Sequence, residues 1–287
     1  MRYGNCVPYT DVNKIKIVKE TGFDYLETGL SALSEASDEE ISEFISNLGE
    51  IKIKCEAVNV LFPGGISLTG ENPDFAKAGD YIDKVFAKTK DIKFRTVVFG
   101  SGAARRFPEG FPKQKAEEQI IRVIRDYLLP AAEKYNFTVT LEPLCRDETN
   151  IVNKISEAED IINKINHEKI RVLADLYHIG LENDFESLER ISGMKNLIAH
   201  CHIANPYDNR YYPHESDSVK SIELYRKYFE NLKLSGYDNR ISIEGNIGSF
   251  SYNKNFSENI RIPEWVGEEN RLFYAESKKS LEFIRGL

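Results

Sequence analysis

The sequence lacks the features that mark membrane, secreted and nucleic-acid-binding proteins. No run of 18 apolar residues occurs, so no membrane span is predicted. The first ten residues contain no apolar segment of the signal-peptide kind. Lys and Arg number 38 against 46 Asp and Glu, and this net charge of -8 argues against nucleic acids and anionic membranes as partners. We therefore expect a cytoplasmic protein.

Paired cysteines and phosphate-binding motifs are also lacking. The four cysteines form no C-x-x-C pair, which predicts reduced thiols rather than disulfides. They are Cys6, Cys55, Cys145 and Cys201. No P-loop occurs, and the Gly-Ser-Gly turn at residues 100–102 is followed by Arg105 and Arg106. Two interpretations of these arginines stay open, namely a phosphate contact and ion pairs with acidic helices.

What the chain does contain is a regular alternation of strands and helices. The predicted strands are residues 2–7, 23–27, 51–60, 95–99, 138–142, 171–175, 197–203 and 240–244. Strands that alternate with helices form a parallel sheet. Eight such units in 287 residues, of which 41% are hydrophobic, predict an α/β protein with one domain, a single (β/α)8 TIM barrel over residues 1–287.

The strand at 138–142 is the most informative stretch. Val139 and Leu141 point to one face, whereas Thr140 and Glu142 point to the other. An ionised glutamate at the end of a buried strand needs a partner. We interpret this strand as one that delivers a carboxylate to a site.

The next three strands end in the same way. By the same alternation, the last inward-facing residues of strands five to eight are Glu142, Asp175, His202 and Glu244. Barrel enzymes place their sites at the C-terminal ends of the strands, so these four side chains should meet at one rim.

Three converging carboxylates repel one another unless a cation lies among them. Three carboxylates and one imidazole suit one divalent ion, with Mn²⁺ favoured and Mg²⁺, Co²⁺ and Zn²⁺ also compatible. The alternative is that these carboxylates pair with Lys or Arg inside the barrel. Four equivalent strand positions favour the metal.

Four segments resemble the xylose-isomerase-like barrel superfamily, and within it the sugar and sugar-phosphate isomerases and epimerases that include the ketose 3-epimerases. They are Glu142-Pro-Leu-Cys-Arg-Asp-Glu148-Thr-Asn150, Ala174-Asp175-Leu-Tyr-His178, His200-Cys-His202-Ile-Ala-Asn205 and Ile243-Glu244. The resemblance covers most of the chain and is most specific from residue 138 to residue 244. It implies that Glu142, Asp175, His202 and Glu244 bind one metal ion.

The resemblance also implies a substrate site. Glu148 lies six residues after the first ligand, and His178 lies three after the aspartate. Arg210, three residues before Pro213, fits the family's Arg-x-x-Pro spacing, although the stretch from His202 to Arg210 is about two residues longer than in the epimerases. For Glu56 two interpretations are open, a contact in the sugar pocket or a buried pairing with Lys54 or Arg2. The same choice applies to Glu27.

The activity implied by the resemblance is isomerisation or epimerisation of a sugar or sugar phosphate through an enediolate, with Glu142 and Glu244 as the acid/base pair. Family members often form dimers or tetramers, so a homodimer or homotetramer is expected. A metal-dependent keto-inositol dehydratase on the same scaffold is the main alternative. A non-catalytic sugar-binding barrel would lack the two glutamates. An apurinic-site endonuclease would need histidines from the early strands, and no histidine precedes His167.

Overall fold

The computed structural model of the protein describes residues 1–247 and 260–287. Eight parallel strands close into a barrel, in which each strand pairs with the next and the last pairs with the first. The strands are β1 (Arg2–Cys6), β2 (Tyr25–Gly29), β3 (Cys55–Asn59), β4 (Thr96–Phe99), β5 (Thr138–Leu141), β6 (Ile170–Asp175), β7 (Ile198–Ile203) and β8 (Arg240–Ile243). The predicted (β/α)8 TIM barrel is confirmed. That residues 1–287 form one domain stays a prediction.

Helices surround the barrel. They are α1 (Val12–Glu20), α2 (Leu30–Glu35), α3 (Asp38–Ile51), α4 (Phe75–Thr89), α5 (Gly102–Arg105), α6 (Lys113–Val123), α7 (Leu129–Tyr135), α8 (Ile155–Ile165), α9 (Leu176–Leu181), α10 (Phe185–Arg190), α11 (Val219–Leu234) and α12 (Arg271–Gly286). A π-helical turn at Ile124–Leu128 joins α6 to α7, and 3-10 turns lie at Lys90–Ile92, Ile191–Gly193 and Glu268–Asn270. Among the helices described, none is long and apolar enough to cross a bilayer.

The largest departure from the expected boundaries lies at the third strand. Helix α3 continues to Ile51, because Ile41, Phe44 and Leu48 keep one apolar face buried along its length. The third strand therefore begins at Cys55 rather than at residue 51. Helix α9 was not expected and starts directly after β6. The expected loop between β8 and the last helix includes residues 248–259, which lie outside the described residues.

The barrel has an apolar outer layer and a partly polar interior. Val97, Phe99 and Leu141 are fully buried in the main hydrophobic core. In contrast, Glu27, His200 and His202 are polar and also completely buried. Buried polar groups are costly unless they are hydrogen-bonded, so such an interior requires a connected network. That network lies inside the barrel, below the C-terminal ends of the strands.

Candidate active site

The C-terminal ends of β5 to β8 bring the four predicted metal ligands together. One donor atom from each of Glu142, Asp175, His202 and Glu244 lies within 4.8 Å of the others. Nδ1 of His202 is at the centre, 3.2 Å from Oε1 of Glu142 and 3.1 Å from Oε2 of Glu244. The register explains this meeting, since parallel strands end at the same rim and His202 pairs with Asp175 across β6 and β7.

The imidazole of His202 is oriented from below by Glu27 of β2. Oε1 of Glu27 lies 3.0 Å from Nε2 of His202, and Oε2 lies 2.8 Å from Nε2 of His200. Ser242 donates a third hydrogen bond to Oε2 of Glu27, at 2.6 Å. A proton on Nε2 of His202, donated to Glu27, orients Nδ1 toward Glu142 and Glu244, where its lone pair could be shared with a cation placed among the carboxylates. Glu27 therefore pairs with neither Lys54 nor Arg2.

The two carboxylate oxygens of Asp175 have different surroundings. Its Oδ1 accepts a hydrogen bond from the backbone N of Tyr177, at 2.8 Å, and so caps α9. Its Oδ2 is buried, and no group in the described part of the chain donates a hydrogen bond to it. A buried carboxylate oxygen without a donor is the kind of atom that a cation satisfies.

The charges of the cluster are strongly perturbed. Burial raises the pKa of Glu142 and the pKa of Asp175. Burial would also raise the pKa of Glu244, but the neighbouring His202 and Arg210 outweigh it and lower that pKa to about 2. Burial opposes the charged form of His202, whereas Glu27 and Glu244 raise its pKa well above the ordinary value. Three carboxylates around one imidazole fit a divalent cation by charge and by donor type.

Two further sets of ligating side chains overlap this cluster: Cys6 with Glu27 and His202, and Cys145 with Glu148 and His178. Burial, followed by the charge of Glu27, raises the pKa of the Cys6 thiol well above its usual value. In the first of these sets the carboxylate of Glu27 is already engaged by His200, His202 and Ser242. The donor set of Glu142, Asp175, His202 and Glu244 remains the better fit.

Space for the carboxylate of Glu142 comes from Gly100. A Cβ at this glycine would lie 2.3 Å from Oε2 of Glu142, closer than any side chain allows. The glycine-rich turn after β4 thus makes room for a carboxylate. Arg105, which follows it, is fully buried and donates a hydrogen bond from Nη2 to the carbonyl O of Glu142, at 2.9 Å. Arg105 thus lies beneath the main chain of Glu142. This position differs from the phosphate contact and from the ion pair with an acidic helix, the two interpretations left open by the sequence.

Glu244 is held by a residue that sequence reasoning missed. Nδ2 of Asn59, at the end of β3, donates a hydrogen bond to Oε1 of Glu244, at 2.8 Å. The signal was present, because Asn59 is in phase with Ala57 on the inward face of β3. Glu56, which is out of phase with Asn59, is the polar residue of this strand that the sequence singles out.

Arg210 lies within the cluster. Nη2 forms an ion pair with Oε2 of Glu244 and lies 3.6 Å from Oδ2 of Asp175, and Nε donates a hydrogen bond to the carbonyl O of Glu244, at 3.0 Å. The guanidinium also stacks 4.5 Å from the ring centre of Tyr177. Gly245 permits this approach, since a Cβ there would lie 2.7 Å from the carbonyl O of Arg210.

Glu148 and His178 flank the same cluster. Oε1 of Glu148 lies 3.6 Å from Nη1 of Arg210. Nδ1 of His178 accepts a hydrogen bond from the backbone N of Cys145, at 3.2 Å, so the ring proton sits on Nε2, 3.5 Å from Oδ2 of Asp175. Burial lowers the pKa of His178 and favours its neutral form. Substrate contact by these two residues stays a prediction.

The expectation that Glu56 contacts a sugar requires correction. Because β3 begins at Cys55, Glu56 lies at the N-terminal end of the barrel, away from the cluster. Its carboxylate pairs there with Arg2, at 2.7 Å, and with Arg240, at 2.7 Å. The pairing with Arg2 was one of the two alternatives, and Lys54 is not the partner.

A family model described as a xylose isomerase-like TIM barrel matches residues 15–266. The chain belongs to the xylose isomerase-like TIM barrel family. A curated relative, the 3-dehydro-D-guloside 4-epimerase of Escherichia coli (strain K12), is 28% identical over 116 residues. The aligned segment is 40% of this chain and spans only 41% of the relative.

Solved structures of the same fold match along the whole chain. The 3-keto-D-glucoside 4-epimerase from E. coli, in its apo form, has a TM-score of 0.73 at 18% identity and covers 100% of both chains. The D-psicose 3-epimerase determined in the presence of D-fructose has a TM-score of 0.78 at 16% identity, covering 100% of this chain and 99% of that one. At these identities the likeness establishes the xylose isomerase-like TIM barrel fold and leaves the substrate to be tested.

Proposed function

We propose that the protein is a divalent-metal-dependent sugar epimerase or isomerase that moves a proton at a carbon next to a carbonyl group. The observation that carries the proposal is the convergence of Glu142, Asp175, His202 and Glu244, with one donor atom of each within 4.8 Å of the others. The names of the relatives support it, because they are sugar epimerases acting on keto sugars and ketoses.

The four converging residues would hold one divalent ion. Oxygen ligands and a single imidazole favour Mn²⁺, with Mg²⁺, Co²⁺ and Zn²⁺ compatible. When bound, this ion would polarise the oxygen atoms of the substrate and stabilise the enediolate that forms on loss of a C–H proton. Oδ2 of Asp175, which accepts no hydrogen bond from the described residues, and Nδ1 of His202, which faces Glu142 and Glu244, are the atoms best placed for it.

Glu142 and Glu244 would act as the acid/base pair. Both carboxylates lie beside Nδ1 of His202, and in this proposal a substrate bound above the cluster would have one of them on each side. One glutamate would remove the proton and the other would return a proton to the opposite face, which inverts the carbon. Return of the proton to the neighbouring carbon would instead interconvert an aldose and a ketose.

Arg210, Glu148 and His178 would bind the hydroxyl and carbonyl groups of the sugar. Arg210 and the neutral His178 offer N–H donors, whereas Glu148 offers acceptors. The named relatives differ in the carbon they act on. A panel of candidate substrates must therefore include ketoses, their phosphates and 3-keto glycosides. We also propose a cytoplasmic location and a homodimer or homotetramer, which light scattering of the purified protein would test.

The deciding experiment combines metal analysis with proton exchange. We expect one equivalent of metal per chain, lost in Glu142→Ala, and metal-dependent uptake of solvent deuterium into one of the panel sugars. The position of the label distinguishes epimerisation from isomerisation, and loss of water from a keto-inositol would reveal the dehydratase alternative. Protein without metal and without exchange on any panel member would overturn the proposal.

A further inference from the structure

A second concave region lies at the N-terminal end of the barrel, opposite the metal-ligand cluster. It is a cleft of about 630 Å³ between the starts of β1, β3 and β8, the end of α3 and the turn before β4. Arg240 starts β8 and Glu244 directly follows it, so the edge of the cleft and the cluster are four positions, or about 13 Å, apart along the chain. The cleft is therefore a separate site.

The walls of the cleft are strongly cationic. Six basic side chains face it against two carboxylates, Glu56 and Asp91, although the whole chain has a net charge of -8. The six are Arg2, Lys52, Lys54, Lys93, Arg95 and Arg240. Like charges that share a low-dielectric concavity raise the local concentration of anions. Because the rest of the chain is acidic, the charge of the cleft is opposite in sign to that of the protein as a whole.

Most of this positive charge is unpaired. Four side chains have no hydrogen-bond or ion-pair partner among residues 1–247 and 260–287: Lys52, Lys54, Lys93 and Arg95. All four are exposed. The other two cations, Arg2 and Arg240, share the single carboxylate of Glu56, so this group of three also carries an excess positive charge.

Glu56 is a buried residue of the cleft whose side chain is held in a fixed position. Its carboxylate is 7% exposed and accepts hydrogen bonds from Nη1 of Arg2, at 2.9 Å, and from Nε of Arg240, at 2.8 Å. Its carbonyl O accepts from the backbone N of Arg95, at 2.8 Å. The two guanidinium groups are thereby held in place before any anion binds, which reduces the entropic cost of binding.

Capping of helix ends explains only two of the six basic residues that line the cleft. Lys52 and Lys93 are the left-handed residues that end α3 and the 3-10 turn at Lys90–Ile92, where positive charge stabilises the helix dipole. The remaining four cations start strands or directly precede them. No helix end explains their convergence on one concavity.

We propose that this cleft binds a small organic phosphate. The phosphoryl group would contact Lys54, Arg95 and the outer edges of the guanidinium groups of Arg2 and Arg240, which suit phosphate oxygens. The cleft is also lined by the apolar residues Ile45, Leu48, Ile53 and Ile92. A cleft of this size lies in the range of small-molecule sites and is too large for phosphate alone, so the body of the ligand would pack against these apolar residues.

Isothermal titration of the intact, metal-loaded protein tests the proposal with three probes: inorganic pyrophosphate, glucose 6-phosphate and adenosine diphosphate. The variant Lys54→Gln/Arg95→Gln removes two exposed cations that lack partners, so its fold should be preserved. Lys16→Gln/Lys115→Gln removes the same charge from exposed positions elsewhere and serves as the control. We expect an organic phosphate to bind more tightly than pyrophosphate, with a loss of at least about tenfold in the cleft variant only.

The choice of probe distinguishes the two ligand sources. Tighter binding of adenosine diphosphate would identify a nucleotide site, and tighter binding of glucose 6-phosphate a sugar-phosphate site. Three results would overturn the proposal: no saturable binding at about 10 mM of any probe, equal loss in both double variants, or pyrophosphate as the tightest ligand. Binding lost in Glu244→Gln but kept in the cleft variant would place the ligand in the active site and also refute it.

Discussion

Oε1 of Glu27 lies 3.0 Å from Nε2 of His202, and both side chains are fully buried inside the barrel. The other carboxylate oxygen of Glu27 binds His200. One carboxylate thus fixes two imidazoles from β7, and it decides which nitrogen of His202 faces Glu142 and Glu244. A residue that touches no substrate in our proposal thereby controls the geometry of the metal ligand.

Replacing Glu27 should weaken metal binding. In Glu27→Gln one amide oxygen and one NH₂ group replace two acceptors, so one of the two histidines loses its acceptor. We expect metal affinity to fall about 10- to 100-fold, measured by competition with a chelator. Ser242→Ala removes a hydrogen bond to Glu27 but no contact with His202, and should have a smaller effect. Unchanged affinity in Glu27→Gln would contradict the orienting role.

Removal of the metal should lower thermal stability. An ion that binds only the folded state stabilises it by about 2.7 kcal/mol at one hundred times its dissociation constant. We expect added Mn²⁺ to raise the melting temperature of the chelator-treated protein, and to do so much less in Asp175→Asn, which keeps the helix cap but loses the charge. Asp184→Asn alters the cap of α10 outside the cluster and should respond like the parent protein. A melting temperature insensitive to metal would argue against the site.

Glu244→Gln should separate chemistry from binding. An amide can still contribute an oxygen ligand but cannot exchange a proton, so we expect turnover to fall by about 10²- to 10⁴-fold. Substrate affinity, measured by titration calorimetry, should change far less. Asn59→Ala removes the hydrogen bond to Oε1 of Glu244 and a weaker one to Sγ of Cys6, and should cost about tenfold. Full activity of Glu244→Gln would refute its acid/base role.

Gly100→Ala should disable the site while leaving the fold intact. The new Cβ would displace Oε2 of Glu142, 2.3 Å away, and misplacement by about 1 Å costs on the order of 10²-fold in rate. Gly49→Ala is the matched control, because no atom lies within 4 Å of its added Cβ. In helix α3 this change should stabilise the protein by about 0.5–1 kcal/mol and leave the rate unchanged. Equal rates for both variants would contradict the steric argument.

Two glutamates predicted to bind substrate should behave differently. Glu56→Gln leaves Arg2 and Arg240 without their carboxylate, so we expect a loss of about 1–3 kcal/mol in the free energy of unfolding and no change in KM. Glu148→Gln changes an acceptor beside Arg210 and should raise KM by about tenfold with little loss of stability. A raised KM in Glu56→Gln would restore its original assignment.

The sequence determined the barrel and the four side chains at its rim. Both depend on local rules, because side chains alternate along a strand and parallel strands end at the same edge. Glu142, Asp175, His202 and Glu244 could therefore be chosen by counting along each strand. The same counting failed at β3, where helix α3 took residues 38–51 and moved the start of the strand to Cys55.

Tertiary structure decided the contacts between strands distant in the sequence. Glu27 meets His202 across 175 positions, and Asn59 meets Glu244 across 185. No local pattern reports such pairs, since closure of the barrel and the register of its strands set which side chains touch. The space that Gly100 leaves for Glu142 has the same origin. The residue types at the strand ends specified the metal-donor atoms of the site. Closure of the barrel specified the side chains that hold those residues in position.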